Sequence, residues 1–97
     1  MSKNDFFTYQ AQTSPNPLAM EVSHAKGSYI YDQDGNAHLD FVAGVSACSL
    51  GHCHPKVVNA IKAQMDKYMH VMVYGEYVQQ PAVEFSKLCL PPVDSRY

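Results

Sequence analysis

Ser28-Tyr29-Ile30-Tyr31-Asp32-Gln33-Asp34-Gly35-Asn36-Ala37-His38-Leu39-Asp40-Phe41 is the stretch whose reading decides the fold. Tyr29, Ile30 and Tyr31 favour a strand. Asp32 to Asn36 carry turn chemistry, with Asp34-Gly35 the strongest local signal. The pattern predicts a β-hairpin over 28–42. Side chains alternate along a strand, so Leu39 and Phe41 share one face and His38 and Asp40 the other.

Working outward, residues 43–54 read as a loop. Gly44 and Gly51 punctuate it, and Ser46 and Ser49 add turn chemistry. Glycine there permits close approach of backbone to a ligand or to another segment. Residues 55–68 read as a helix opened by Pro55, whose missing N–H costs nothing at a first helical position. Val57, Val58, Ile61, Met65 and Tyr68 make its apolar stripe. Residues 69–78 read as extended or irregular. A second helix is expected over 81–90, carrying Ala82, Phe85, Leu88 and Cys89 inward and stopped by Pro91-Pro92. Val93 to Tyr97 read as the start of a strand. On the other side, residues 1–27 read as an N-terminal arm. Phe6, Phe7 and Tyr9 could dock a small apolar patch, and the prolines of Thr13-Ser14-Pro15-Asn16-Pro17 impose extended, turn-prone backbone. The elements together are an α+β arrangement, with residues 28–97 as one partial domain.

The chain has 97 residues, 46% hydrophobic and 16% charged, a globular composition with material for only a modest core. Seven Lys+Arg against nine Asp+Glu give a net charge of −2, and no basic cluster occurs, which argues against a nucleic-acid partner. No apolar run is long enough to span a membrane. No apolar segment follows Met1-Ser2-Lys3-Asn4-Asp5, so no secretory signal is read. Three cysteines (Cys48, Cys53 and Cys89) cannot all pair, and the expected setting is a reducing cytoplasm with free thiols.

Several groupings invite chemistry. Cys48, His52, Cys53 and His54 are potential zinc ligands, but they do not form the two separated pairs of a structural zinc site. The same residues read more simply as a helix start, with His54 near the N-cap, Pro55 opening the helix and Gly51 making the turn. Asp32-Gln33-Asp34-Gly35 superficially resembles a calcium loop. Its twelfth position, however, is Ala43 rather than glutamate, and strands flank it. Neither G-x-G-x-x-G nor G-x4-G-K-[ST] occurs. A nucleophilic Cys53 lacks an orienting carboxylate in the local sequence. Tyr68, Tyr74 and Tyr77 suit packing or pocket lining better than nucleic-acid stacking.

Three motifs, in order and at these gaps, carry a resemblance. They are Gly27-Ser28-Tyr29-Ile30-Tyr31-Asp32; Asp40-Phe41-Val42-Ala43-Gly44; and Gly51-His52-Cys53-His54-Pro55 with Lys56-Val57 following. From Gly27 to Leu90, about two thirds of the chain, the sequence resembles the N-terminal region of class III (omega) aminotransferases. This pyridoxal-phosphate family includes the acetylornithine, ornithine and 4-aminobutyrate enzymes. The resemblance implies the N-terminal part of the small domain of a fold-type I transferase. It also implies transfer of an amino group from an amino acid or omega-amine to a 2-oxo acid, pyridoxal 5'-phosphate as cofactor, and a homodimer with its active site at the subunit interface. It places Gly44, Val45, Tyr74 and Glu76 at the substrate side of the pocket.

Lys3, Lys26, Lys56, Lys62, Lys67 and Lys87 match no catalytic motif of that family. Its Schiff-base lysine, pyridinium-pairing aspartate and phosphate loop are expected downstream of these residues. The chain therefore reads as the N-terminal part of an aminotransferase, inactive alone and with no catalytic or cofactor-binding residue of its own. Two other readings are kept: a non-catalytic binding module, and a small Cys/His metal-binding domain.

Overall fold

A computed structural model describes residues 3–90. The elements are α1 (Lys3–Tyr9), β1 (Val22–Lys26), β2 (Tyr29–Asp32), β3 (Ala37–Leu39), α2 (Ala43–Ser46), α3 (Pro55–Met65) and α4 (Gln80–Cys89). The chain divides into two compact units, residues 1–63 and 64–97, at a point inside the last turn of α3. The helix stop expected at Pro91-Pro92 and the strand expected from Val93 lie outside the described residues.

The first unit is built on an antiparallel meander in the order β1-β2-β3. Tyr29 pairs with Leu39, Ile30 with His38, and Tyr31 with Ala37. Gly35, at φ +86°, supplies the left-handed residue that lets the chain reverse between β2 and β3. Asp32 holds this turn from within. Its Oδ1 accepts the backbone N–H groups of Asp34 (3.0 Å) and Asn36 (2.8 Å). Its Oδ2 lies 3.0 Å from Asn36 Nδ2 and 2.8 Å from His38 Nε2. Those contacts, His38 first and Asn36 next, hold the Asp32 carboxyl well below the usual carboxylate range.

Two elements lie in the stretch read as an arm. The first is α1, where Thr8 Oγ1 donates to Asn4 O (2.7 Å) and Gln12 Nε2 donates to Gln10 O (2.7 Å) just past the helix end. The second is β1, which pairs with β2 through Lys26–Tyr29, Ala25–Ile30 and His24–Tyr31, with a bulge between Val22 and His24. The sheet therefore starts before residue 28. Val-Ser-His-Ala-Lys has weak intrinsic strand preference, and β1 exists because β2 offers it a ladder. The ring of His24 stacks on Tyr31 at 4.4 Å. An open cavity of about 660 Å³ lies between α1 and the start of β1, lined by Phe6, Tyr9, Met20 and Val22 among others.

α3 starts at Pro55 and ends three residues earlier than the periodicity predicts. Its final turn loosens after Met65: both Lys67 N and Tyr68 N donate to Gln64 O, and Gln64 Nε2 closes on Tyr68 O at 3.1 Å. In the second unit, α4 carries Pro81 in its first turn, and Gln80 Nε2 donates to Glu84 Oε1 (2.7 Å). The inward face expected of α4 is not inward. Ala82, Phe85, Leu88 and Cys89 are all exposed, because no second layer covers them among the described residues. The same holds for Leu39 and Phe41, 52% and 90% exposed.

No described residue is fully buried. Hydrogen-bonded turns and strand ladders define these elements, while their apolar faces stay open. Hydrophobic burial is the main driving force of cooperative folding. The 97 residues alone should therefore show no sharp calorimetric unfolding peak and should bind a hydrophobic dye. A cooperative transition of a monomer would contradict this.

Candidate functional site

Asp40 follows β3 at the point where the chain leaves the sheet. Its N–H donates to Ser28 O (2.8 Å), which ends the ladder. Its Oδ1 then accepts from Val42 N (2.9 Å) and Ala43 N (3.0 Å), and its Oδ2 lies 2.6 Å from His52 Nε2. An ionised carboxylate can only accept, so the hydrogen in that contact sits on His52 Nε2. Both side chains are shielded, Asp40 at 7% exposure and His52 at 17%. The His52 contact first, and the Ala43 N–H next, lower the Asp40 pKa.

His52 is held at its backbone as well. Its N–H donates to Gly27 O (2.7 Å), and its carbonyl accepts from Gly27 N (2.9 Å). A Cβ on Gly51 would lie 3.3 Å from Gly27 O and 3.4 Å from Gly27 Cα, and Gly51 has φ +89°. Glycine is required there for close approach as well as for conformation. The loop 43–54 is thus pinned to the sheet at both ends.

Between those pins the backbone turns left-handed. Ala43, Gly44, Val45 and Ser46 have φ of 50°, 59°, 57° and 68°. Such backbone costs roughly 1–2 kcal/mol per non-glycine residue, and a β-branched residue there is a genuine outlier. Hydrogen bonds close over the turn. Ser46 N donates to Val42 O (3.1 Å), Cys48 N to Ala43 O (2.9 Å), and Ser49 Oγ to Ser46 O (2.6 Å). Val45 stands at its apex, 87% exposed. Strain over-determined by its surroundings is characteristic of ligand-facing segments.

Gly44 and Val45 lie together on this turn in the first unit. Tyr74 and Glu76 lie in the second, on the irregular stretch before α4, which Gln79 Nε2 braces by donating to Met72 O (2.8 Å). Tyr74 lines a shallow depression of about 360 Å³ with Val73, Tyr77 and Val83; Glu76 does not line it. His54 acts as a helix start, its Nδ1 accepting from Lys56 N (3.3 Å) just ahead of α3. With His52 engaged by Asp40, no group of three metal-ligating side chains forms among the described residues.

The class III aminotransferase family model matches residues 9–91. The chain belongs to that family. It is 50% identical over 50 residues to the acetylornithine aminotransferase of Halalkalibacterium halodurans, covering 52% of this chain and 13% of that one. Against the acetylornithine aminotransferase of Shewanella oneidensis it is 38% identical over 80 residues, covering 80% and 19%. Among solved structures it resembles the ornithine aminotransferase of Toxoplasma gondii (TM-score 0.69, 34% identity), over 90% of this chain and 22% of that one. The class III chain is therefore α+β, with the fold of the matching part of the fold-type I aminotransferases. It spans between 13% and 29% of the length of the curated relatives it matches. No described helix is long and apolar enough to cross a membrane.

Asp40 and His52 shape this site, although the sequence offers His52 only as a potential zinc ligand and Asp40 only as a strand residue. They are twelve positions apart, a spacing with no local periodicity. The only available signal was that both fall inside the family motifs.

Two outcomes are expected in the complete enzyme. Gly51→Ala should lower the melting temperature more than Gly35→Ala. Both replacements are strained, by about 1–3 kcal/mol, but a Cβ on Gly35 meets nothing within 4 Å, whereas one on Gly51 meets Gly27 backbone. Asp40→Asn should destabilise at neutral pH. A carboxyl whose pKa is lower folded than unfolded stabilises fully above its unfolded value, and this is lost as pH falls through the folded one. The gap between wild type and variant should therefore close as pH drops below the ordinary aspartate value of 3.8, in melts from pH 7 to 3.

Proposed function

We propose that this chain is the N-terminal part of a pyridoxal-phosphate aminotransferase, moving an amino group from an amino acid or omega-amine to a 2-oxo acid. The family match over residues 9–91 carries the reading. The segment then belongs to the small domain, whose sheet begins with β1, and the residues before β1 lead into it. The enzyme works in the cytoplasm as a homodimer. Gly44 and Val45 face the substrate from the left-handed turn, and Tyr74 and Glu76 are substrate-binding residues of the complete enzyme. The strained backbone at 43–46 and the exposed Val45 support the first pair. The family resemblance alone supports the second.

Pyridoxal phosphate supplies an electron sink and a carrier for the amino group. The described residues do not fit it. All six lysines are exposed, and none sits in a desolvated cleft that would activate its amine. Holding the cofactor falls to other residues of the complete enzyme, and the 97 residues alone are inactive. The contribution of this segment is to shape the substrate side, with its open apolar faces covered by the remainder of the protein.

The test is amino-transfer activity of the complete enzyme with acetylornithine, ornithine and 4-aminobutyrate as donors and 2-oxoglutarate as acceptor. The cofactor absorbance is followed in parallel. Val45→Trp should change the ratio of kcat/KM between donors while leaving that absorbance in place. A lost absorbance with unchanged donor preference would remove Val45 from the substrate side.

A further inference from the structure

We propose that Asp40 and His52 act as positioning residues for the substrate-facing turn: their 2.6 Å contact holds the left-handed backbone of 43–46 and so sets how the enzyme binds its amino donor. The inference rests on the proposed function and deepens it.

A turn with three non-glycine residues at positive φ does not hold itself. Unrestrained, Ala43, Val45 and Ser46 would relax to the right-handed or extended region. The restraints converge on one carboxylate. Asp40 Oδ1 takes the two N–H groups immediately before the reversal, those of Val42 and Ala43. That fixes where the left-handed stretch begins. Asp40 is itself anchored to the sheet by its own N–H on Ser28 O. His52 closes the other side, with its ring on Asp40 Oδ2 and its backbone on both polar groups of Gly27. The ring cannot swing away without giving up a shielded contact, and the backbone cannot shift without breaking a two-bond bridge.

The geometry separates two roles inside Asp40. Oδ1 caps the turn, and Oδ2 receives the histidine. Asparagine keeps an acceptor for Val42 and Ala43, whereas alanine keeps none. At position 52, glutamine offers an amide N–H near the place of Nε2, and alanine offers nothing. Neither Asp40 nor His52 is a catalytic residue; each acts through Val45, which stands free at the apex. Small displacements of a positioning element weigh heavily on binding and reactivity, by as much as about 100-fold for an ångström.

The experiment is steady-state kinetics of the complete holoenzyme and its His52→Ala, His52→Gln, Asp40→Ala and Asp40→Asn variants, with cofactor content read from absorbance. The alanine variants should raise KM for the amino donor about tenfold, more than they lower kcat, with cofactor content retained. Glutamine at 52 should restore most of the loss, and asparagine at 40, which keeps the cap on Val42 and Ala43 but offers no second acceptor to His52, only part of it. A lower fraction of loaded enzyme with donor KM unchanged would make the pair merely structural and overturn the proposal. Equal kinetics for all variants would overturn it too. Should the alanine variants fail to fold, His52→Gln against His52→Asn decides, since asparagine is too short to reach Asp40: a higher donor KM for asparagine alone supports the proposal, and equal KM overturns it. An inactive wild type would instead bring down the proposed function, and the positioning role with it.

Discussion

The carboxylate of Asp40 joins the two parts of the first unit that matter most. Through its backbone it closes the sheet on Ser28, and through Oδ1 it opens the left-handed turn. Through Oδ2 it engages His52, which is locked to the tight turn at Gly27. The start of the turn and His52 meet at its side chain, and Ser28 meets its backbone. A shielded carboxylate in such a place is costly unless its oxygens are satisfied, and here both are. The same logic recurs at Asp32, whose oxygens hold the β2–β3 turn and His38. Two aspartate–histidine pairs on one small sheet give it order that its apolar residues do not.

Those apolar residues are poorly used within the described residues. Phe41, Val78 and Leu88 are 90%, 92% and 87% exposed. The polar turns are finished and the hydrophobic layer is not. In a chain that spans a small part of its relatives' length, local hydrogen bonds shape the described residues while their apolar faces stay open.

The left-handed turn is where local and global preferences conflict. Val45 is β-branched and sits at φ 57°. Its propensity would place it in a strand. The turn persists because the N–H groups of Ser46 and Cys48 close over it and its first amides are capped. Segments that violate local rules while their surroundings hold them are where function concentrates.

Much was legible from residues alone. Asp34-Gly35 marked the reversal between β2 and β3, Pro55 marked the start of α3, and Pro81 fell in the first turn of α4, because turn and capping chemistry is local. The family motifs identified the relatives for the same reason: they are short and ordered. Tertiary structure decided what distance in sequence hides. β1 formed on a weak sequence because β2 was there to pair with it. His52, which could have been read as a metal ligand, went to a carboxylate twelve residues away. Residues 43–46, legible only as a glycine-punctuated loop, became a left-handed turn because hydrogen bonds from outside the turn outweigh the preferences of the residues within it.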